Sequence, residues 1–103
     1  VDRIILVPRE HDSFSDITIN GERMLIRFTY NDTFDYWTFG IYETNRTPIL
    51  SGVKIVPNFP LTIFTPMRRL EGVSFIASTR QERIGYSDFW EELASFVMVE
   101  GSP

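Results

Sequence analysis

The 103-residue chain contains no cysteine, which excludes a disulfide framework, a thiolate nucleophile and any cysteine-ligated zinc or iron–sulfur site. It contains a single histidine, His11. A histidine-based metal site would therefore draw its other ligands from carboxylates, with Glu10 and Asp12 the nearest. No HxH or HExxH spacing supports such a site, and the Glu-His-Asp run reads as a polar turn. Cations are few, ten Lys and Arg against fourteen Asp and Glu, for a formal net charge of −4. Because nonspecific nucleic-acid affinity comes from neutralising phosphates with Lys and Arg, no direct nucleic-acid partner is expected. No apolar run approaches the roughly 20 residues that span a bilayer as a helix. The run Ile4-Ile5-Leu6-Val7 is also too short for the core of a secretory signal, so no membrane partner is expected. The six glycines form neither GxGxxG nor GxxxxGK[ST], so no nucleotide is expected, and the sequence signals no other cofactor. No repeat, low-complexity tract or Gly/Ser linker divides the chain, and residues 1–103 read as one domain.

What the chain does have is aromatic surface and hairpin punctuation. Nine Phe, four Tyr and two Trp fit pleated, half-buried strands better than helices packed against their own preceding turns. Between residues 14 and 41 two alternating runs meet at Asn20-Gly21, the pair best suited to a two-residue type I′ turn. That turn sets Ile19 opposite Glu22, Ile17 opposite Met24 and Ser15 opposite Ile26. Ile17, Ile19, Met24 and Ile26 then share one face, and Asp16, Thr18, Arg23 and Arg27 share the other. A four-residue loop at 31–34 pairs Tyr30 with Asp35, Phe28 with Trp37, Ile26 with Phe39 and Met24 with Ile41, extending the apolar face over a third strand. A turn at 44–47 leads to a fourth strand that starts at Pro48, with Gly52 marking a bulge or a close backbone approach. The proline-rich segment 57–66 reads as an apolar crossing or irregular edge strand between sheets. A strand at 71–78, a polar loop at 79–83, a short helix through 89–93 capped by Ser87 or Asp88, and a strand at 96–99 complete the chain. With the N-terminal strand the count is about seven. The expected fold is all-β, a small antiparallel barrel or sandwich built on a meander of hairpins, with one short helical turn near the C-terminus.

The side chains that carry chemistry do not assemble into a site on paper. Ser13, Ser15 and Ser87 lie outside any Gly-x-Ser-x-Gly elbow, and all three would have to share His11 as base. Asp32, Asp35 and Glu43 fall at hairpin ends, where carboxylates ordinarily face water. Arg68 and Arg69, and the pair Arg80 and Arg83, make small basic clusters that read as solvated loops. Asn31-Asp32-Thr33 and Asn45-Arg46-Thr47 match a glycosylation pattern but stand where turns need Asn. No enzyme is expected. The candidate partner interface comprises the outward aromatics Tyr36 and Tyr42 and the loop residues Phe59, Phe64, Met67, Arg68 and Arg69, an aromatic surface larger than a small monomer readily hides.

In sequence order, Ile4-Ile5-Leu6-Val7-Pro8, the 14–19 strand with its Asn-Gly turn, Leu25-Ile26-Arg27-Phe28-Thr29-Tyr30-Asn31, Tyr36-Trp37-Thr38-Phe39-Gly40-Ile41, Thr47-Pro48-Ile49-Leu50-Ser51-Gly52 and Phe96-Val97-Met98-Val99 resemble the small plug-type baseplate proteins of contractile-tailed bacteriophages. Two positions depart from that pattern: Asp35 and Arg46 stand near places where the family carries glycine. The resemblance implies an all-β structural part of the virion, made in the host cytoplasm, that plugs or adapts the distal end of the tail tube at the hub. Its implied partners are the baseplate hub, the tail-tube proteins and copies of itself in a symmetric assembly. The alternative reading is a free-standing β-domain that binds a peptide or carbohydrate.

Overall fold

The alternating runs fold into seven strands, seen in a computed structural model that describes residues 2–61 and 70–100. The strands are β1 (Asp2–Ile5), β2 (Asp12–Ile19), β3 (Glu22–Asn31), β4 (Tyr36–Tyr42), β5 (Pro48–Lys54), β6 (Val73–Thr79) and β7 (Ala94–Glu100). They form two antiparallel sheets, ordered β2-β3-β4-β5 and β1-β7-β6. The sheets stack as a sandwich and do not close into a barrel. The contact between them is aromatic. Phe39 of the first sheet packs on Phe75 and Phe96 of the second at 5.1 Å each, and Phe28 meets Phe96 edge-on at 5.1 Å. Met24, Ile26, Ile41 and Met98 extend this buried layer. Each such side chain contributes about 1.5–3 kcal/mol by leaving water, so this layer dominates the stability.

The first hairpin forms as the sequence dictates. Asn20 and Gly21 both adopt positive φ, 51° and 80°, as a type I′ turn requires, and Ile19 pairs with Glu22, Ile17 with Met24 and Ser15 with Ile26. The second hairpin slides by two residues from the expected register. Asn31 pairs with Tyr36, Tyr30 with Trp37, Phe28 with Phe39 and Ile26 with Ile41, so the loop is 32–35 and not 31–34. The side chain of Asn31 explains the shift: its Oδ1 accepts hydrogen bonds from the backbone N–H groups of Thr33 and Phe34 at 3.0 and 3.1 Å, which nucleates the turn one residue later. Asp35 then closes the loop in the left-handed region at φ 56°. A shift of two preserves parity, so every side chain keeps its face.

The turn after β4 is held by Asn45, whose Oδ1 accepts from Thr47 N–H at 3.0 Å, with Arg46 at φ 70°. Pro48 begins β5. The β4–β5 ladder shifts register between Phe39 and Ile41 and again between Ile41 and Tyr42, and the first shift places Ser51 and Gly52 against Gly40. This is the expected bulge, with Gly52 at φ 69°. Gly40 tolerates no side chain, since a Cβ there would lie 2.7 Å from the Leu50 carbonyl oxygen and 3.0 Å from Ser51 Cα.

From β5 the chain crosses to the other sheet. Ile55 N–H bonds to the Trp37 carbonyl at 2.9 Å, and then Asn58 and Leu61 N–H bond to the carbonyls of Ala77 and Phe75 at 2.8 Å each. Asn58 also clamps Thr79 through its side chain, donating to the carbonyl at 2.8 Å and accepting from the N–H at 3.0 Å. The 55–61 segment is thus a strap along the free edge of β6.

The expected helix through 89–93 is a single turn, and no α-helix forms among the described residues. Glu91 N–H reaches Ser87 O at 3.1 Å, but Leu93 and Ala94 N–H both turn back to Asp88 O at 3.0 and 3.2 Å. Asp88 does not cap a helix either. Its Oδ2 holds Gly85 N–H and Gln81 Nε2 at 2.7 Å each, and Glu92 at φ 62° reverses the chain into β7.

Two outcomes follow from this backbone. Gly40→Ala forces β5 away from β4 and lowers stability by about 1–3 kcal/mol, read as a thermal midpoint some 5–20 °C lower. Glu92→Gly relieves left-handed strain at an exposed position and stabilises by about 0.5–1 kcal/mol, read as a higher urea midpoint at unchanged m-value.

Candidate functional site

On the outward face of the four-stranded sheet, the alternation that buries Phe39 and Ile41 turns Tyr36, Thr38 and Tyr42 the other way. Tyr42 is nevertheless only 7% exposed. Phe14 packs edge-on against it at 5.2 Å, and Arg27 Nη1 donates to its hydroxyl at 3.4 Å. Arg27 is itself fixed by a bidentate pair with Asp12, Nε to Oδ1 and Nη2 to Oδ2, each 2.7 Å. The hydrogen bonds from Arg27 hold the Asp12 carboxyl below its usual pKa. Arg46 lies over the Phe14 ring, 4.5 Å from its centroid. Tyr36 is half-buried under Lys54, whose Nζ sits 4.8 Å from the ring. The two tyrosines stand about 20 Å apart along one strand. Phe59, 52% exposed, lies on the strap beside β6, away from both. Phe64, Met67, Arg68 and Arg69 fall outside the described residues.

At one end of the sandwich, loops 6–11, 32–35 and 80–93 interlock around an aromatic cluster. Trp37 Nε1 donates to Gly85 O at 3.2 Å and Trp90 Nε1 to Val7 O at 2.8 Å. Tyr86 stacks on Trp37 and meets Tyr30, with ring centroids 5.9 and 4.7 Å away. His11 lies on the outside of the cluster, 4.7 Å from the Tyr86 ring, with Nδ1 3.4 Å from the Tyr86 hydroxyl. Asp35 accepts hydrogen bonds from the Tyr30 hydroxyl and from Arg83, which joins the 32–35 loop to the 80–93 loop. That hydrogen bond to Asp35, aided by burial, pushes the Tyr30 phenol up to about 12. The Tyr30 and Arg83 hydrogen bonds hold Asp35 below the usual carboxylate range. These loops carry seven acidic and three basic residues of the chain's fourteen and ten, so the whole formal excess of four negative charges sits at this pole.

The groups weighed for catalysis are engaged in holding the fold or are kept apart. Both oxygens of Asp12 belong to Arg27, so ligating a metal beside His11 would break that pair. Among the described residues no three His, Asp or Glu side chains gather as a metal site. Ser13 Oγ is buried with no hydrogen-bond partner among the described residues, while the ring of His11 faces Tyr86. Ser87 donates to Glu91 at 2.9 Å. Glu43 stands at the opposite end of β4 from Asp32 and Asp35. Asn31 and Asn45, the two glycosylation matches, both serve as turn formers.

The outer faces of the two sheets differ in charge. The four-stranded sheet presents Asp12, Asp16, Thr18, Arg23, Arg27 and Thr29 to water, with ion pairs Arg27–Asp12 and Arg23–Asp16. On the three-stranded sheet the corresponding positions of β6 and β7 are uncharged, the serines Ser74, Ser78 and Ser95 alternating with Ile76, Val97 and Val99. Ile4 pairs with Val97, and Val97 with Ile76, forming a β-branched row across all three strands, with Leu6 and Val99 beside it. Ile4 is 65% and Leu6 84% exposed. The sequence reading passed over this face. Its signal was there: Ile4-Ile5-Leu6-Val7 and Phe96-Val97-Met98-Val99 are unbroken apolar runs, the pattern of strands covered on both sides, whereas β2 and β3 alternate.

No curated protein matches the chain. A family model described as cyanophage baseplate Pam3 plug gp18 matches residues 2–100.

The Tyr30–Asp35–Arg83 link sets a pH response. The folded pKa of Tyr30 lies above the unfolded value near 10, so its contribution is complete below pH 10 and is lost as pH rises from about 10 to about 12. For Asp35, whose folded pKa is depressed, the contribution is present above pH 4 and disappears as pH falls through the lowered value. Urea midpoints of the parent and Tyr30→Phe should therefore differ at pH 8 and converge toward pH 12. A constant difference across that range contradicts the assignment.

Proposed function

The chain belongs to the cyanophage baseplate plug family, and on that premise we propose that it plugs or adapts the distal end of the tail tube at the hub. As a member it is a structural component of a phage tail baseplate and assembles with other baseplate and tail components. The observation that carries the reading is the family match over residues 2–100, nearly the whole chain. In this reading it is synthesised in the host cytoplasm, folds as one domain and enters the particle in several symmetric copies. It contacts hub and tube through its surfaces and catalyses nothing. The physical design agrees with that role: a closely packed aromatic core fixes the two sheets, and the charged groups at the loop pole are spent on linking loops, not on a reactive constellation. Tyr36, Phe59 and residues 64 and 67–69 stay assigned to partner contacts. Tyr42, covered by Phe14 and Arg27, contributes to that assignment only through the side chains that lie over it. The binding-module reading loses its open tyrosine platform, since Tyr42 is buried and Lys54 lies over Tyr36.

Mass spectrometry of purified virions, with light scattering of the isolated chain, tests the proposal. Recovery in tails at a fixed ratio to the tube protein is the expected result. A chain absent from particles and monomeric in solution sinks it.

A further inference from the structure

We propose that the outer face of the β1-β7-β6 sheet is buried in the assembled baseplate against an uncharged, apolar surface of a neighbouring tail protein. This rests on the baseplate reading and names the partner chemistry of one surface within it. The centre of the face is the row Ile4, Val97 and Ile76, in register across the sheet. The other outward positions of β6 and β7 are Ser74, Ser78, Ser95 and Val99. None carries a charge. An antiparallel sheet with one face in water normally alternates polar residues outward, as the partner sheet of this molecule does.

Size and charge together select the occupant. Three strands of seven residues or fewer make a face of about 300 Å². Two copies set face to face would bury roughly 600 Å² in total, short of the ~1,000 Å² a stable specific interface needs, so a second copy alone does not hold there. In a particle the same face is one of several simultaneous contacts, and its modest area suffices. A charged partner surface is excluded on other grounds, because its groups would lose hydration against a face that offers no counter-charge. The face is also accessible: β1 is an edge strand, and an open groove separates it from β2, apolar on the β1 side at Ile4 and Leu6 and bordered by the charged Arg3, Asp16 and Arg23.

The test places Ile4→Lys and Leu6→Lys, both at exposed positions, beside Ser51→Lys, an exposed position on β5 at the far edge of the other sheet. Each is supplied in trans to phage lacking the gene. All three purified chains are expected to be monomeric by light scattering, with thermal midpoints within a few degrees of the parent. Incorporation into particles, measured by mass spectrometry, is expected to fall at least about ten-fold for Ile4→Lys and Leu6→Lys and to stay at the parent level for Ser51→Lys. Three results overturn the inference: face variants that incorporate like the parent, a parent dimer that the face variants dissociate, and a midpoint loss beyond about 10 °C in the isolated face variants. The second identifies another copy as the occupant, and the third a segment of this chain such as residues 62–69. A parent chain missing from particles is a separate result that removes the baseplate reading itself.

Discussion

Two hydrogen-bonded ladders that share no strand must be held together by side chains, and here the binding element is the stack of Phe28, Phe39, Phe75 and Phe96. Each ring comes from a different strand, with centroids 5.1 to 5.7 Å apart where they touch. Everything else follows from keeping these four in register. The first hairpin fixes the parity of β3, β3 fixes that of β4, and a single-residue slip anywhere would turn Phe28 or Phe39 outward. The strap at 55–61 secures the same geometry from outside, bonding to Trp37 in one sheet and to Phe75 and Ala77 in the other.

Connecting strands this tightly pushes several side-chain-bearing residues into the left-handed region: Asn20, Asp35, Arg46, Asn58 and Glu92. The asparagines are suited to it. Asp35 and Arg46 are the two positions where the sequence departs from the glycine pattern of the family it resembles, and both sit in left-handed turns. Each makes contacts glycine could not: Asp35 receives Tyr30 and Arg83, and Arg46 lies on Phe14. Backbone strain at these turns is offset by side-chain links that tie the turn to its surroundings.

Much of this was legible in the sequence, and the failures have physical causes. Asn20-Gly21 and the alternation around it gave the first hairpin to the residue, because turn chemistry and burial agree there. The second loop was displaced because Asn31 acts through its side chain, which hydropathy patterning does not see. The short helix reduced to a turn because Asp88 bonds backward to Gly85 and Gln81 while Trp90 is pinned to Val7, tertiary constraints with no local signature. The tyrosines were correctly placed on the outward face of β4, but the lid of Phe14 and Arg27 over Tyr42 depends on β2, β3 and β4 being neighbours. The apolar outer face of β1 and β7 was visible as unbroken apolar runs, whose meaning emerged only once the paired residues behind them proved to be buried.

The one-sided charge distribution bears on how the molecule arrives at its place. With seven acidic residues against three basic ones on the loops, that pole of the molecule carries a concentrated negative field. A charged surface approaching from that side feels the loops before any contact forms, and the effect shrinks as salt shortens the ~10 Å screening length. The loops that lock the aromatic pole thus also set the sign of the long-range field at that end of the sandwich.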